Sequence, residues 1–164
     1  MAIIFNDELI EYRILRVKDI SFEVNEELYN KSYSPEQTQV RINCEIKYNT
    51  EANYVILALN GIYLYVVDEK DQIFADIIVH NVFEIKNIIR FVKGTELILP
   101  PKILVPLMGY SLSHTRALFS KCIDGTAFNG LTLPLIEPIA VATSLFPHMF
   151  EIQNADAMAG ESTA

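Results

Sequence analysis

The sequence predicts an α+β fold: a four-stranded antiparallel sheet followed by two helices packed on one of its faces. Three observations carry this. In the first half of the chain apolar and polar side chains alternate, which is the period of a strand. After Leu99-Pro100-Pro101 the apolar spacing lengthens to three and four residues, that of a helix. Short polar turns join the second strand to the third and the third to the fourth, which makes those strands antiparallel neighbours. Strands first and helices after is the layer pattern of an α+β domain.

The first strand runs from Ile10 to Val24. Ile20, Phe22 and Val24 alternate with Asp19, Ser21 and Glu23, giving one apolar and one acidic face. Leu15 and Val17 are apolar on the opposite parity, so the strand either bulges there or buries both faces for part of its length. Asn25 to Glu36 reads as a loop carrying two aromatics, Tyr29 and Tyr33. In the second strand Val40, Ile42, Cys44, Ile46 and Tyr48 face one way, and Arg41, Asn43, Glu45 and Lys47 the other. Asn49 to Asn53 is a turn. The third strand, Tyr54 to about Asp68, is apolar on both parities, as a strand with two buried faces is. Asn60-Gly61 in its middle is a hairpin signal. One long strand with a local irregularity is preferred because its neighbours are equally long; two short strands is the rival reading. Asp68 to Gln72 is a polar turn, and the fourth strand spans Ile73 to Glu84. Leu104, Leu107, Met108, Ser111, Leu112, Thr115, Leu118, Phe119 and Cys122 then define a long amphipathic helix that ends before Asp124-Gly125. A second helix, from about Pro138 to Phe150, is interrupted near its end by Pro147. Residues 1–150 are expected to form a single domain, and 151–164 a small, polar, flexible tail.

At 164 residues and 18.6 kDa the chain is long enough to bury one core. Thirteen basic against 21 acidic residues give a formal net charge of −8 and a pI near 4.8. That balance argues against coating nucleic acid, which needs a basic surface, and against anionic lipid; it favours basic partners. The first residues carry no basic segment of the kind that opens a signal peptide. No run approaches the roughly 18 apolar residues of a membrane helix, so no membrane insertion and a cytoplasmic location are expected. Cys44 and Cys122 lie far apart, form no C-x-x-C pair, and read as small apolar side chains. The third strand cannot offer a hydrophilic face, so apolar surface is left over for another subunit or a ligand to cover.

Catalytic patterns are missing. There is no G-x-S-x-G, P-loop or G-x-G-x-x-G. His80, His114 and His148 stand alone, without metal-ligand spacing. Ser113 is next to His114 on the helix, and adjacent helical residues point apart, so a Ser–His nucleophile pair is not expected. The chain is expected not to be an enzyme and to use no cofactor and no metal. Asp19 and Glu23 are four apart on the first strand, hence on one face, and Asp76 shares a face of the fourth with Phe74 and Ile78. If strands one and four are neighbours, these become an acidic patch with an apolar centre, either an ordinary solvated face or a docking patch. Tyr29, Tyr33 and the row Val40, Ile42, Cys44, Ile46 either cap the core or line a groove in which aromatics stack on a bound chain.

At Lys18-Asp19-Ile20-Ser21-Phe22-Glu23 the chain resembles the SecB family of bacterial export chaperones. Tyr33 two residues before Pro35, Phe83-Glu84-Ile85, Thr115-Arg116, Phe128 and Ile136-Glu137-Pro138 follow in the family's order, over about residues 12 to 142. Leu112-Ser113-His114-Thr115 stands where the family has L-F-P-Y, and His80-Asn81 where it has a glycine pair, so the likeness is to a divergent, SecB-like member. The resemblance implies an ATP-independent holdase, a homotetramer built as a dimer of dimers, that holds unfolded preproteins or other unfolded polypeptides in apolar grooves for export. It places the contacts with a SecA-type translocation motor on Asp19, Glu23, Phe74 and Asp76. The alternative is a dedicated binding module with one partner, such as an antitoxin-guarding SecB-like chaperone.

Overall fold

The computed structural model describes residues 2–5, 8–28, 38–67 and 70–151. Five strands form one antiparallel sheet: β1 (Ala2–Phe5), β2 (Glu8–Val24), β3 (Thr38–Asn49), β4 (Tyr54–Val67) and β5 (Lys70–Ile85). Their order across the sheet is β1-β2-β5-β4-β3. A 3₁₀ turn (Ile88–Phe91) and a two-residue hairpin of β6 (Val92–Lys93) with β7 (Glu96–Leu97) follow. Then come α1 (Pro101–Ile123) and α2 (Pro138–Leu145). The α+β class stands, with four long strands and both helices after them.

The β3–β4 ladder is unbroken through Asn43↔Asn60 and Ile42↔Gly61, so Asn60-Gly61 makes no turn and β4 is one long strand. A Cβ on Gly61 would stand 3.0 Å from Leu133 Cδ1, so glycine there lets the chain after α1 lie directly on the strand. The turn before β4 is held by Asn49, whose Oδ1 accepts from the Ala52 amide at 2.8 Å, and by Asn53 at φ +53°. The N-terminal β1 is an element the sequence reading did not assign; it pairs with Glu8–Glu11 of β2.

Residues opposite one another in an antiparallel ladder share a face, and the helices occupy one face only. On that helix side Val55, Leu57, Phe83 and Ile85 meet Ile103, Leu104, Leu107 and Met108 of α1. Further along, Tyr63, Phe74 and Ile77 meet Phe119 and Ile123. Burying each such Leu or Phe stabilises the fold by roughly 1.5–3 kcal/mol. Pro101 opens α1 at its first turn, where a missing N–H costs nothing. Helix α2 is shorter than expected: Phe146, before Pro147, leaves the helical region at φ −132°, ψ 54°, and the chain turns helical again over 147–151.

Two irregularities rearrange the faces. The bulge expected near Leu15 is present, between Ile14 and Arg16. A second lies between Asp19 and Ser21, where Asp19 pairs with Val79 but Ser21 with Ile78. The extra residue reverses the parity. Asp19 therefore sits on the helix side with Phe22, and Glu23 on the outer face, opposite Asp76; the expectation that Asp19 and Glu23 share a face is corrected. The β4–β5 ladder slips in the same way between Tyr63 and Leu64. Phe74 turns inward, stacked on Tyr65 at 4.6 Å and on Phe128 at 5.3 Å and 1% exposed, so it does not share a face with Asp76.

Candidate polypeptide-binding surfaces

Strand β3 is the edge of the sheet, so among the described residues its outer backbone groups pair with no strand. Its apolar row Val40, Ile42, Cys44 and Ile46 points to the helix side and is half-buried. Ile42, Cys44 and Ile46 pack against the first core cluster and Val40 against the second. One side chain row thus serves both readings of it: it caps the core and still shows apolar surface along an open edge. Burial, together with the neighbouring Glu45 carboxylate, pushes the Cys44 thiol up to about 12, so it stays neutral and apolar in the row. At one end Tyr48 donates its hydroxyl to the Thr95 carbonyl at 2.8 Å, which pins the small β6–β7 hairpin across the strand. Tyr29 and Tyr33, expected at the other end, lie outside the described residues.

A second groove was not anticipated. The extended segment after α1 runs beside the helix, and two contiguous hollows of about 360 and 450 Å³ share Ser113, Arg116, Pro134 and Leu135 as walls. Leu135 is 86% exposed there. The signal was present as the apolar run Leu131-Thr132-Leu133-Pro134-Leu135-Ile136 and the short side chains Gly109, Ser113 and Ala117 at four-residue spacing. Four-residue spacing of small residues makes a shallow helix face against which another chain fits closely.

On the outer face Glu23 and Asp76 stand together, with Ser21, Ile73 and Ile78 around a hollow of about 480 Å³. Asn60 donates its amide to Asp76 Oδ2 at 3.1 Å and steadies that carboxylate. Asp19 is elsewhere: it lies near Cys122, whose thiol is raised by burial first and by this carboxylate second. Phe74 also borders this hollow, although its ring stacks inward, so three of the four residues assigned to motor docking meet there and Asp19 lies on the opposite side of the sheet.

His114 bonds Asn81, not a serine. Its Nδ1 lies 2.8 Å from Asn81 Oδ1; an amide oxygen only accepts, so Nδ1 donates. Burial holds the His114 imidazole below its usual range. Among the described residues no group of three or more His, Cys, Asp or Glu could hold a metal ion, and no helix is long and apolar enough to cross a membrane.

A solved structure of similar fold is that of a SecB-like chaperone from Mycobacterium tuberculosis, in complex with a peptide from an antitoxin. The TM-score is 0.50 and the identity 10%, over 76% of this chain and 90% of the other. At that identity the likeness shows the fold alone, which is SecB-like. No family model matches the chain, and no curated protein matches it by sequence.

Proposed function

We infer that this protein is a polypeptide-binding chaperone that acts without nucleotide, holding an extended or unfolded chain along the β3 edge. The single observation that carries the reading is the half-buried apolar row Val40–Ile46 on a strand whose outer edge pairs with no other strand among the described residues. An extended chain can add its backbone to such an edge and seat alternate side chains on the row. Contact of this kind gains roughly 25 cal/mol per Å² of apolar area without reading sequence. A protein that binds the unfolded state competes with aggregation by mass action. The net charge of −8 favours basic clients.

The test is light scattering of a chemically denatured model protein on dilution. We expect suppression near stoichiometric ratio with no nucleotide added, weakened several-fold by Val40→Ala with Ile42→Ala. Aggregation unchanged at several-fold molar excess overturns the reading. A second reading, one dedicated partner such as an antitoxin, is favoured by the peptide that the mycobacterial structure holds. Isolation of one stoichiometric partner, with no effect on a denatured model protein, selects it. We propose in addition delivery to a SecA-type motor, homotetramer assembly and a cytoplasmic location; for the motor, Glu23, Asp76 and Phe74 border one hollow.

A further inference from the structure

Among the described lysines and arginines Arg116 alone is half-buried; all the others are exposed. It has no ion pair and no hydrogen bond among the described residues. A cation drawn partly out of water without a partner is costly. A guanidinium in such a place binds a carboxylate through short, charge-assisted hydrogen bonds. Arg116 lines both hollows of the groove beside α1. Its charge chooses an anion, and the walls describe the rest of the ligand. We propose that this groove binds a medium-chain alkyl monocarboxylate, with its head on Arg116 and its tail toward Gly109. The inference stands apart from whether the β3 edge holds polypeptide.

The segment after α1 runs antiparallel to the helix. Thr132 and Ser120 wall the hollow at one end. At the other, Pro138 lies on Gly109, where an added Cβ would stand 3.3 Å from the proline Cγ. That contact closes the groove at the Gly109 end. A ligand with a single apolar tail fits a closed end, whereas a polypeptide passing through needs two open ones. From Gly109 to Arg116 the helix rises about 10 Å, which an extended alkyl chain of about eight carbons spans. Leu112, Pro134, Leu135 and Ile136 line that stretch. Leu135, 86% exposed, is apolar surface for the tail to cover. Hollows of about 360 and 450 Å³ are of the size that small ligands occupy. Ser113 donates its hydroxyl to the Gly109 carbonyl at 2.9 Å and is committed. Ser120, one turn beyond Arg116, has no hydrogen bond among the described residues and is a second donor to the head. Glu137 lines the closed end and repels a second negative charge there, which selects a monoanion.

The experiment is calorimetric titration of the full chain with sodium octanoate, with amide chemical shifts to place the ligand. We expect a dissociation constant of about 0.1–1 mM, and shifts confined to α1 and residues 131–138. Binding should tighten roughly two- to fourfold per CH₂ from hexanoate to octanoate. Arg116→Gln, checked for folding by circular dichroism, should weaken binding at least tenfold, and Arg116→Lys less. On the wild type, octan-1-ol lacks the charge and suberate carries a second carboxylate at the tail end; each should bind at least fivefold more weakly than octanoate. No saturable binding at tenfold the expected concentration overturns the proposal. So does octanoate affinity unchanged in a folded Arg116→Gln, or octan-1-ol that binds as tightly as octanoate. A further arm uses an acetylated leucine tripeptide with a free terminal carboxylate. If it binds the same residues tenfold more tightly than octanoate, the groove takes the end of a polypeptide and the proposal falls.

Discussion

Asn81 and His114 are each unusual for their place: one is a fully buried amide in an apolar strand, the other an imidazole on the inner side of a helix. Each is also where the chain departs from the SecB pattern, and they touch. The Asn81 amide has only long bonds to the Leu57 and Val79 carbonyls, both at 3.5 Å, so the bond to His114 is its one well-formed contact. Ser111 lies one turn before His114, and Thr115 one turn after Ser111; both are fully buried, with hydroxyls that find no partner among the described residues. A polar stripe on α1 over a single polar residue on β5 fixes how the helix sits along the sheet, because any slip leaves the amide unpaired. Asn81→Ala is expected to cost about 1–3 kcal/mol by urea denaturation. In a double-mutant cycle with His114→Leu the pair should couple; additive losses would remove the locking role. The pH dependence follows from the sign of the shift. Burial lowers the folded pKa of His114, and of His80, whose neighbours Lys47, Arg16 and Lys18 act with desolvation while Glu45 opposes. The folded state then binds fewer protons than the unfolded one. Stability is full above the ordinary histidine value near 6.5 and is lost as pH falls through the depressed folded values. Melting temperatures at pH 7.5 and 5.5 should show that loss, reduced in His114→Gln; an equal drop in the variant rules out the assignment.

Strands were legible to the extent that their parity held. The β3 row faces the helices as the alternation of Val40 to Tyr48 said, and β4 is one strand because both its neighbours are long. Parity is also where the reading failed. One extra residue at Ile20 and one at Phe74 reversed it, and neither segment carries a glycine or proline to announce a bulge. That is why Asp19 left the acidic patch and the Phe74 ring turned inward beneath it, while Glu23 and Asp76 stayed. The hairpin of β1 with β2 was readable: Ala2-Ile3-Ile4-Phe5 precedes Asn6-Asp7 and a second apolar stretch. The groove beside α1 depends on contacts between distant segments, which spacing alone does not give. Gly61 joins those segments. Gly61→Val is expected to push Leu133 off the strand and destabilise by about 1–3 kcal/mol. Leu133→Ala in the same background should recover part of the loss. A valine variant as stable as wild type would mean that Leu133 relaxes freely and that Gly61 is not needed for the close approach.

The molecule as a whole divides its apolar surface by the plane of the sheet. On the helix side the core is closed except along β3, where the row of Val40, Ile42, Cys44 and Ile46 stays half-buried beside an open edge. On the outer side Ile56, Ile62, Ile73 and Ile78 stand among Lys18, Glu23, Arg41, Glu45 and Asp76. The layers are coupled only through the strands, since successive side chains of a strand point to opposite faces. A charge reversal on the outer face should therefore leave client holding unchanged. Lys18 lies on β2, three strands away from β3 and on the other face. Lys18→Glu is expected to leave the affinity for a fluorescent extended apolar peptide within about twofold. Val40→Ala with Ile42→Ala is expected to raise the peptide dissociation constant several-fold, which is the loss of a few methyl groups' worth of contact. Titrating the same peptide into both proteins decides the matter. If Lys18→Glu loses as much affinity as the β3 variant, the sheet does not insulate its faces, and the β3 row is not the site.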